Sequence, residues 1–215
     1  MLGVLDQLGR RVLAALYSRD AQYIFVRKIE PPRALASRSE ASEALGITCI
    51  FVESAVALRE IEDDIPWPFR DSRDELQRRL AQGCSVILAQ RPKPSGVGHE
   101  LIGYGINEPA VFSALGRRGK LPSNILFNHY LEIVPEYRGL RIADVMRRAM
   151  DEYCRAHGFT MRCTVVSPDN RASLRSHYRA GLIHAGTVAR VSLLRGLFVW
   201  ETPWRKIERA VQAVS

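Results

Sequence analysis

The stretch LEIVPEYRGLRIADVMRRAMDEYCRAHG, residues 131–158, decides how the whole sequence is interpreted. It begins with the apolar residues of a strand, and Pro135 separates that strand from a helical pattern. The helical part carries one continuous apolar stripe, because its apolar residues recur every three or four positions. The stripe consists of Ile142, Val145, Met146, Ala149, Met150 and Tyr153. The spacing therefore predicts a strand that turns directly into a helix packed on a sheet.

The turn between this strand and this helix carries positive charge. The first turn of a helix presents backbone N–H groups without partners inside the helix, and the helix dipole adds positive potential there. Arg138 and Arg141 bring full charges to the same end, and Gly139 permits a tight turn. Two interpretations stay open: a phosphate-binding helix start, or a glycine turn with two solvated arginines.

The rest of the sequence alternates between strand and helix patterns. Strands are predicted at residues 21–29, 47–53, 84–90, 100–106, 125–134 and 160–167, with two more within 182–199. Helices are predicted at residues 2–16, 55–60, 71–81, 140–156, 170–179 and 203–214. Residues 107–123 are expected to form a long loop. This order indicates a mixed α/β domain over residues 46–215, preceded by an N-terminal extension, residues 1–45, whose helix and strand pack on the domain.

The composition is that of an ordinary globular protein with a basic surface. Of 215 residues, 47% are hydrophobic and 25% are charged, which excludes a disordered, collagen-like or coiled-coil chain. The net charge of +8 favours an anionic ligand, a nucleic acid or a membrane surface as partner. No stretch approaches the roughly 18 apolar residues of a membrane span. Four widely spaced cysteines without a zinc-finger pattern indicate reduced thiols in a cytoplasmic protein.

The first predicted helix is amphipathic and has arginines beside its apolar face. Its apolar residues recur at helical spacing, and Arg10, Arg11 and Arg19 flank them. Packing against the domain is the plain interpretation. The same pattern is compatible with weak contact with an anionic membrane surface or with a dimer interface, so both a monomer and a homodimer stay open.

The central part of the sequence, about residues 125–185, resembles the GCN5-related N-acetyltransferase superfamily. The resemblance rests on the order of features: strand, proline turn, Arg138-Gly139, helix, Gly158-Phe159, strand, Asn170, helix, Gly181. It implies an acyltransferase fold with a mixed sheet. It also implies the direct transfer of an acyl group from CoA to an amine.

In this family a loop of pattern Gln/Arg-x-x-Gly-x-Gly/Ala starts the helix, and its backbone amides hold the pyrophosphate of acetyl-CoA. The matching residues here are Arg138, Gly139, Leu140, Arg141, Ile142 and Ala143. Arg141 stands where the central glycine is usual, and we expect its φ not to be positive, so that the loop is unstrained. The resemblance also implies that backbone groups of Leu131, Glu132 and Ile133 pair with the pantetheine arm like an added strand.

Residues after the following strand supply two further features of the resemblance. Asn170 matches the asparagine that hydrogen-bonds the CoA arm in the family, and it also suits the cap of the helix that begins there. The family's general acid, a tyrosine seven residues later, falls on His177, and Tyr178 follows it. Both side chains are therefore candidates for protonating the departing thiolate.

Direct attack on the thioester requires an amine that has lost its proton, so a base with a pKa near neutrality is expected in the site. His129 is the candidate, because an unperturbed histidine titrates at about 6.5. It has the same strand parity as Leu131 and Ile133, so we expect it to share their face of the sheet. Glu132 has the opposite parity and is expected to point away unless the strand is bulged; its alternative role is that of a base acting through a water. An ordinary strand histidine is the alternative for His129.

The acceptor is the least defined part of the site. Trp67, Phe69, Trp200 and Trp204 either line an acceptor cleft or simply pack. We predict a cytoplasmic N-acetyltransferase that uses acetyl-CoA, without a metal, on an amine of a small molecule or a peptide. The alternatives are an enzyme with a longer-chain acyl donor, of the N-acyl amino acid or acyl-homoserine lactone synthase type, and a non-catalytic CoA-binding module. No nucleic-acid partner is expected, because RNA-binding and helix-turn-helix signatures are absent from the sequence.

Overall fold

The computed structural model describes residues 17–30, 46–61, 67–69, 71–193 and 198–214. The elements in these ranges are, in order, β1 (Tyr17–Lys28), β2 (Thr48–Val52), α1 (Ala55–Glu60), α2 (Arg73–Ala81), β3 (Ser85–Pro92), β4 (His99–Pro109), β5 (Val111–Ala114), β6 (Arg117–Lys120), β7 (Ile125–Ile133), a 3₁₀ turn (Pro135–Tyr137), α3 (Ile142–Ala156), β8 (Met161–Val166), α4 (Arg171–Arg179), β9 (Ile183–Leu193), β10 (Phe198–Glu201) and α5 (Trp204–Gln212). The predicted helix at residues 2–16 lies outside the described ranges, as does most of the predicted extension.

The chain divides into two compact units. The large unit contains the described residues within 28–111 and 120–163. The small unit contains residues 17–27, 112–119, 164–193 and 198–214. The boundary between the units falls inside β8.

The strands of the large unit lie in the order β2-β3-β4-β7-β8. Within the first four, each pair of neighbouring strands is antiparallel. Thr160 donates its backbone N–H to the carbonyl of Asn124 over 2.9 Å, so β8 and β7 start side by side. Because both strands start at the same edge of the sheet, they run parallel, and α3 forms the crossover connection between them. The sheet is therefore mixed, as predicted.

Helices cover both faces of this sheet, because successive residues of a strand point to opposite sides. Val86 and Leu88 of β3 belong to the buried cluster that includes α1 and α2. Ile87 and Ala89, which alternate with them, belong to the cluster that includes α3. The sheet thus separates an α1/α2 face from an α3 face.

The predicted apolar stripe of α3 is confirmed. Ile142, Met146 and Met150 pack against the sheet with at most 2% of their surface exposed. Packing of this stripe, more than helix propensity, fixes α3 in place. No helix in the described ranges is long and apolar enough to cross a membrane.

In the small unit β1, β9 and β10 form an antiparallel sheet. The strand predicted at residues 21–29 lies within the longer β1 except for its last residue, because β1 covers Tyr17–Lys28. Phe25 of β1 is fully buried and packs with Val166 and Leu182. On α5, Ile207 and Val211 are buried as well. These side chains give the small unit its own core.

The prediction of a long loop at residues 107–123 is wrong. β4 continues to Pro109, and β5 and β6 pair as a two-stranded hairpin. Leu115 and Gly116 connect these strands with φ values of 50° and 76°, and two positive angles in succession are typical of a type I′ turn. The hairpin therefore depends on a leucine in the left-handed region, which residue preferences do not indicate.

Trp204 packs within the small unit. A Cβ atom at Gly119 would lie 2.3 Å from the indole ring of Trp204, so only glycine fits there. Phe112 meets the same ring edge-on, with 5.6 Å between ring centroids. Of the two roles predicted for Trp204, packing is the one observed. The side chain of Trp200 lies outside the described part of the chain.

Candidate functional site

The turn that precedes α3 has a strained backbone. Gly139 has a φ of 85°, and Arg141, the N-cap residue of α3, has a φ of 59°. The expectation that Arg141 avoids positive φ is therefore wrong. Its carbonyl accepts the backbone N–H of Asp144 over 2.9 Å, and the left-handed conformation is the one that starts the helix here. For a residue with a side chain, that conformation costs about 1–2 kcal/mol.

Charged side chains surround this helix start. The Asp144 carboxylate lies 3.2 Å from Nε of Arg141 and 2.8 Å from a guanidinium nitrogen of Arg147. Arg138 donates its Nε–H to the carbonyl of Ile133 over 3.2 Å. Three guanidinium groups and one carboxylate therefore leave the start of α3 positively charged, in line with the phosphate interpretation.

The remaining residues of the predicted loop differ in exposure. Leu140 is 40% exposed, whereas Ile142 is buried in the α3 face cluster and Ala143 is half-buried. A ligand at this turn would thus meet backbone groups and arginine side chains more than apolar ones.

Backbone groups at the end of β7 alternate in direction. Val134 donates its N–H to the carbonyl of Ile102 in β4 over 3.0 Å. In an antiparallel ladder the N–H and C=O groups of Leu131 and Ile133 then point away from β4. This is the orientation that pairing with an added strand-like ligand requires.

A β-bulge interrupts the pairing of β4 with β7. Ile106 pairs with Tyr130 and Asn107 pairs with Asn128, so His129 is the additional residue. The Asn128 side-chain amide holds the bulge, because it donates to the side-chain oxygen of Asn107 over 3.0 Å and lies 3.3 Å from the carbonyls of Ile106 and Tyr130.

The bulge changes the side-chain parity of β7. Leu131 and Ile133 pack on the α3 face and Tyr130 on the α1/α2 face. His129 contacts Glu108, which has the parity of Tyr104 and therefore the α1/α2 face of β4. The prediction that His129 shares the face of Leu131 and Ile133 is wrong. Because of the inserted residue, His129 and Glu132 lie on the same face of β7. Opposite faces had been expected only for a strand without a bulge.

His129 forms a close pair with a carboxylate. Its Nε2 lies 2.7 Å from Oε2 of Glu108, and their side chains are 13% and 7% exposed. The Phe127 ring packs against the imidazole at 4.8 Å between centroids. Sequence reasoning missed Glu108 because it falls in the segment assigned to a loop. The available signal was the polar pair Asn107-Glu108 at the end of an apolar strand.

Two tyrosines and a carboxylate adjoin this pair on the α1/α2 face. Tyr130 donates its hydroxyl hydrogen to Glu132 over 2.9 Å. Burial, together with this hydrogen bond, raises the pKa of Tyr130. The Tyr104 ring lies 5.4 Å from that of Tyr130, and burial also raises the pKa of Tyr104. Both phenols therefore stay protonated at neutral pH.

The aromatic side chains predicted near an acceptor cleft surround Tyr104. The Phe69 ring is 4.6 Å and the Trp67 ring 6.3 Å from it, between centroids. Phe69 is buried, whereas Trp67 is half-buried and donates its indole N–H to the carbonyl of Asp71 over 2.5 Å. Packing accounts for both, and Trp67 retains exposed surface.

A second network of polar contacts fixes the position of the turn that precedes Arg138. Tyr137 donates its hydroxyl hydrogen to Glu100 over 2.9 Å, and Glu100 is ion-paired with Arg91. The Arg91 guanidinium lies over the Tyr137 ring, 4.6 Å from its centroid. Burial alone would raise the pKa of Glu100, but the hydrogen bonds from Arg91 and Tyr137 outweigh it and lower that pKa. The strands β3 and β4 thus anchor the turn, which sequence reasoning did not anticipate.

The small unit contains the other predicted site residues. Asn170 caps α4 and accepts the N–H of Ser173 over 3.1 Å, which confirms its predicted capping role. Nδ1 of His177 lies 2.7 Å from the carbonyl of Ser173. Tyr178 is 54% exposed and meets the Phe25 ring edge-on at 5.1 Å between centroids. Their roles towards CoA stay predictions.

No family model matches the sequence, and no curated protein matches it either. Solved structures do match. A GCN5-related N-acetyltransferase from Sphaerobacter thermophilus superposes with a TM-score of 0.51 at 14% identity, covering 91% of this chain and 57% of that one. A tandem GNAT protein from the clavulanic acid biosynthesis pathway gives a TM-score of 0.48 at 14% identity, with 86% of this chain and 58% of that protein covered. An aminoglycoside N-acetyltransferase in complex with CoA gives a TM-score of 0.44 at 15% identity, with 63% of this chain and 86% of that protein covered.

The chain thus spans somewhat less than three fifths of the length of the first two of these proteins. What the superposition with the Sphaerobacter enzyme establishes is the fold. It agrees with the order of strand, turn, helix and strand through residues 125–166. This chain has the fold of the GCN5-related N-acetyltransferases, as the resemblance in its sequence predicted.

Proposed function

We propose that this chain is an N-acetyltransferase that transfers the acetyl group of acetyl-CoA to an amine of a small molecule or a peptide. The observation that carries the proposal is the paired His129 imidazole. It lies on the same face of β7 as Tyr130 and Glu132, just before the strand end that leads into the positively charged start of α3. A base and an anion-binding turn thus adjoin one strand.

The donor would be held by groups at the end of β7 and the start of α3. The backbone amides from Arg138 to Ala143 and the guanidinium groups of Arg138 and Arg141 suit the pyrophosphate, because a helix start with positive charge binds phosphate. Backbone groups of Leu131 and Ile133 would pair with the pantetheine arm. The backbone groups of Glu132 point to β4 instead, so they cannot join this pairing as the resemblance implied. From the resemblance, Asn170 would hydrogen-bond that arm.

The reaction would be a single displacement at the thioester. The amine nitrogen forms a bond to the acetyl carbon, the carbon–sulfur bond breaks, and the pair of electrons leaves with the CoA thiolate. His129 takes the proton that the amine loses, and a positioned base of this kind contributes about 10²- to 10⁴-fold. His177 or Tyr178 is the proposed donor of the proton that the thiolate gains.

Glu132 is the alternative base. It already accepts the hydrogen of Tyr130, and it faces the same side as His129. A carboxylate titrates at about 4.3 when unperturbed, so it accepts a proton from an ammonium less readily than an imidazole does. It would have to act through a water.

A transfer assay tests the proposed function. The purified chain is mixed with acetyl-CoA and a panel of small amines and peptides, and thiol release is followed together with the mass of the acceptor. We expect thiol release that needs both substrates, matched by acceptors heavier by one acetyl group. Octanoyl-CoA and palmitoyl-CoA are assayed as donors in parallel. A strong preference for either would support the alternative of an enzyme with a longer-chain acyl donor. If the chain binds CoA but releases thiol with none of these donors and acceptors, the non-catalytic module is correct.

A further inference from the structure

We infer that Tyr137 and its two partners, Glu100 and Arg91, are positioning residues that set how tightly the turn before α3 holds the CoA donor. The inference rests on the proposed function, in which the backbone amides of this turn bind the pyrophosphate. It adds three side chains, two of them on β3 and β4, that act on the donor through the turn.

Arg91, Glu100 and Tyr137 form a closed set of contacts. Arg91 and Glu100 lie directly opposite each other on β3 and β4. Oε1 of Glu100 accepts a hydrogen from Nε of Arg91 and another from the Tyr137 hydroxyl, the latter over 2.9 Å. The Arg91 guanidinium also covers the Tyr137 ring, 4.6 Å from its centroid. Each of the three side chains therefore contacts the other two.

Both hydrogen bonds in this set end on a charged oxygen. Such bonds are about twice as strong as those between neutral groups. The Arg91 and Glu100 side chains are 21% and 29% exposed, so water screens their ion pair only in part. The pair is neutral as a whole and adds little positive potential of its own. We therefore expect its effect on an anionic donor to pass through Tyr137 and the turn.

The turn is attached to β4 through its backbone and through the Tyr137 side chain. Val134 donates its N–H to the carbonyl of Ile102, and Tyr137 reaches Glu100, two residues away on the same strand. The residue after Tyr137 is Arg138, the first residue of the loop proposed to hold the pyrophosphate. The attachment of Tyr137 therefore fixes the point from which this loop departs. A site that is already ordered loses less entropy when its ligand binds.

The test measures donor affinity, turnover and amide hydrogen exchange in Tyr137→Phe on the full chain. This change removes the hydroxyl and keeps the ring beneath the Arg91 guanidinium. We expect the Kd and the KM for acetyl-CoA to rise about 3- to 10-fold, because the turn would adopt its binding conformation for only part of the time. We expect kcat to stay unchanged, since saturating donor orders the turn again. Without ligand, the amides of positions 137 and 138, which bond carbonyls within the turn, should exchange faster than in the unsubstituted protein.

Two further variants complete the design. Glu100→Gln keeps the shape of the side chain and removes its charge, so it should also weaken donor binding. Combined with Tyr137→Phe, it should add less than its separate effect, because both changes act on one set of contacts. Tyr153→Phe is the matched control: its hydroxyl also donates to a glutamate, Glu53, over 2.6 Å, but near the other end of α3. Its affinity for CoA and the exchange of the turn amides should match those of the unsubstituted protein.

Each result bears on one claim. If the unsubstituted chain binds no CoA, the proposed donor site is wrong, and so is the role of Tyr137 towards it. If it binds CoA and Tyr137→Phe binds CoA equally well, only the role of Tyr137 is wrong. Faster exchange with unchanged affinity would make the contact a structural one without influence on the donor, which also overturns the inference. A lower kcat with an unchanged KM would place Tyr137 in the chemical step instead. If Tyr137→Phe fails to fold, Glu100→Gln decides by the same measurements.

Discussion

Replacing His129 with glutamine should lower kcat/KM for acetyl transfer by roughly 10²-fold or more, while the affinity for CoA stays near that of the unsubstituted protein. The imidazole would act when the amine loses its proton and not when the donor binds, so its loss appears in the transition state alone. Glutamine is chosen because it retains a polar group of similar length opposite Glu108. Steady-state kinetics with an acceptor from the transfer assay, together with CoA titration by calorimetry, measures both quantities.

Glu132→Gln, measured alongside, separates the two candidate bases. If Glu132 acts through a water, this variant should lose the rate and His129→Gln should keep most of it. If both variants keep the rate, the amine reaches the site already neutral, and the proposed role of His129 is wrong.

Met146→Asp should unfold or aggregate the protein. Met146 is fully buried in the cluster between α3 and the sheet. An isolated carboxylate there loses its hydration without gaining a partner, which costs several kcal/mol. The total free energy of unfolding of a typical domain is only about 5–15 kcal/mol. Circular dichroism during heating should therefore show no cooperative transition, or one at a much lower temperature.

Met146→Leu is the matched control for this substitution. It conserves volume and polarity, so it should cost less than about 1.5 kcal/mol. A melting temperature for Met146→Asp close to that of Met146→Leu would mean that α3 does not pack on the sheet through this residue.

The sequence predicted the parts of the fold that local patterns determine. The stripe through Ile142, Met146 and Met150 follows from helical spacing alone. Asn170 caps α4 because a side-chain oxygen one residue before a helix satisfies a free N–H group. The strand, turn and helix around residues 131–156 could also be predicted because local sequence patterns determine them.

The candidate site was predicted less well, because its geometry depends on contacts distant in sequence. The bulge at His129 is held by an amide contact between Asn128 and Asn107, on two different strands. One inserted residue reverses the side-chain parity on which the prediction for His129 relied. Glu108 lies in a segment without apolar alternation, so it was assigned to a loop and its pairing with His129 was missed.

Backbone strain is the second reason why predictions from the sequence were wrong. Residue preferences place arginine and leucine outside the left-handed region, yet Arg141 and Leu115 adopt it. The turn before Arg141 is held by a contact that is distant in sequence, the anchoring of Tyr137 by Glu100 and Arg91.

Binding of acetyl-CoA at the start of α3 is the claim on which the proposed chemistry depends, and calorimetric titration of the purified chain with CoA and acetyl-CoA tests it most directly. We expect saturable binding and a higher melting temperature, because a ligand at 100 times its Kd stabilises the folded state by about 2.7 kcal/mol. Arg138→Ala should weaken this binding, whereas Arg155→Ala, which removes the same charge at the other end of α3, should not. 3′-Dephospho-CoA shows in addition whether the turn contacts the ribose phosphate. The account is contradicted if millimolar CoA produces no binding heat and no shift in melting temperature while a known CoA-binding protein responds in the same buffer.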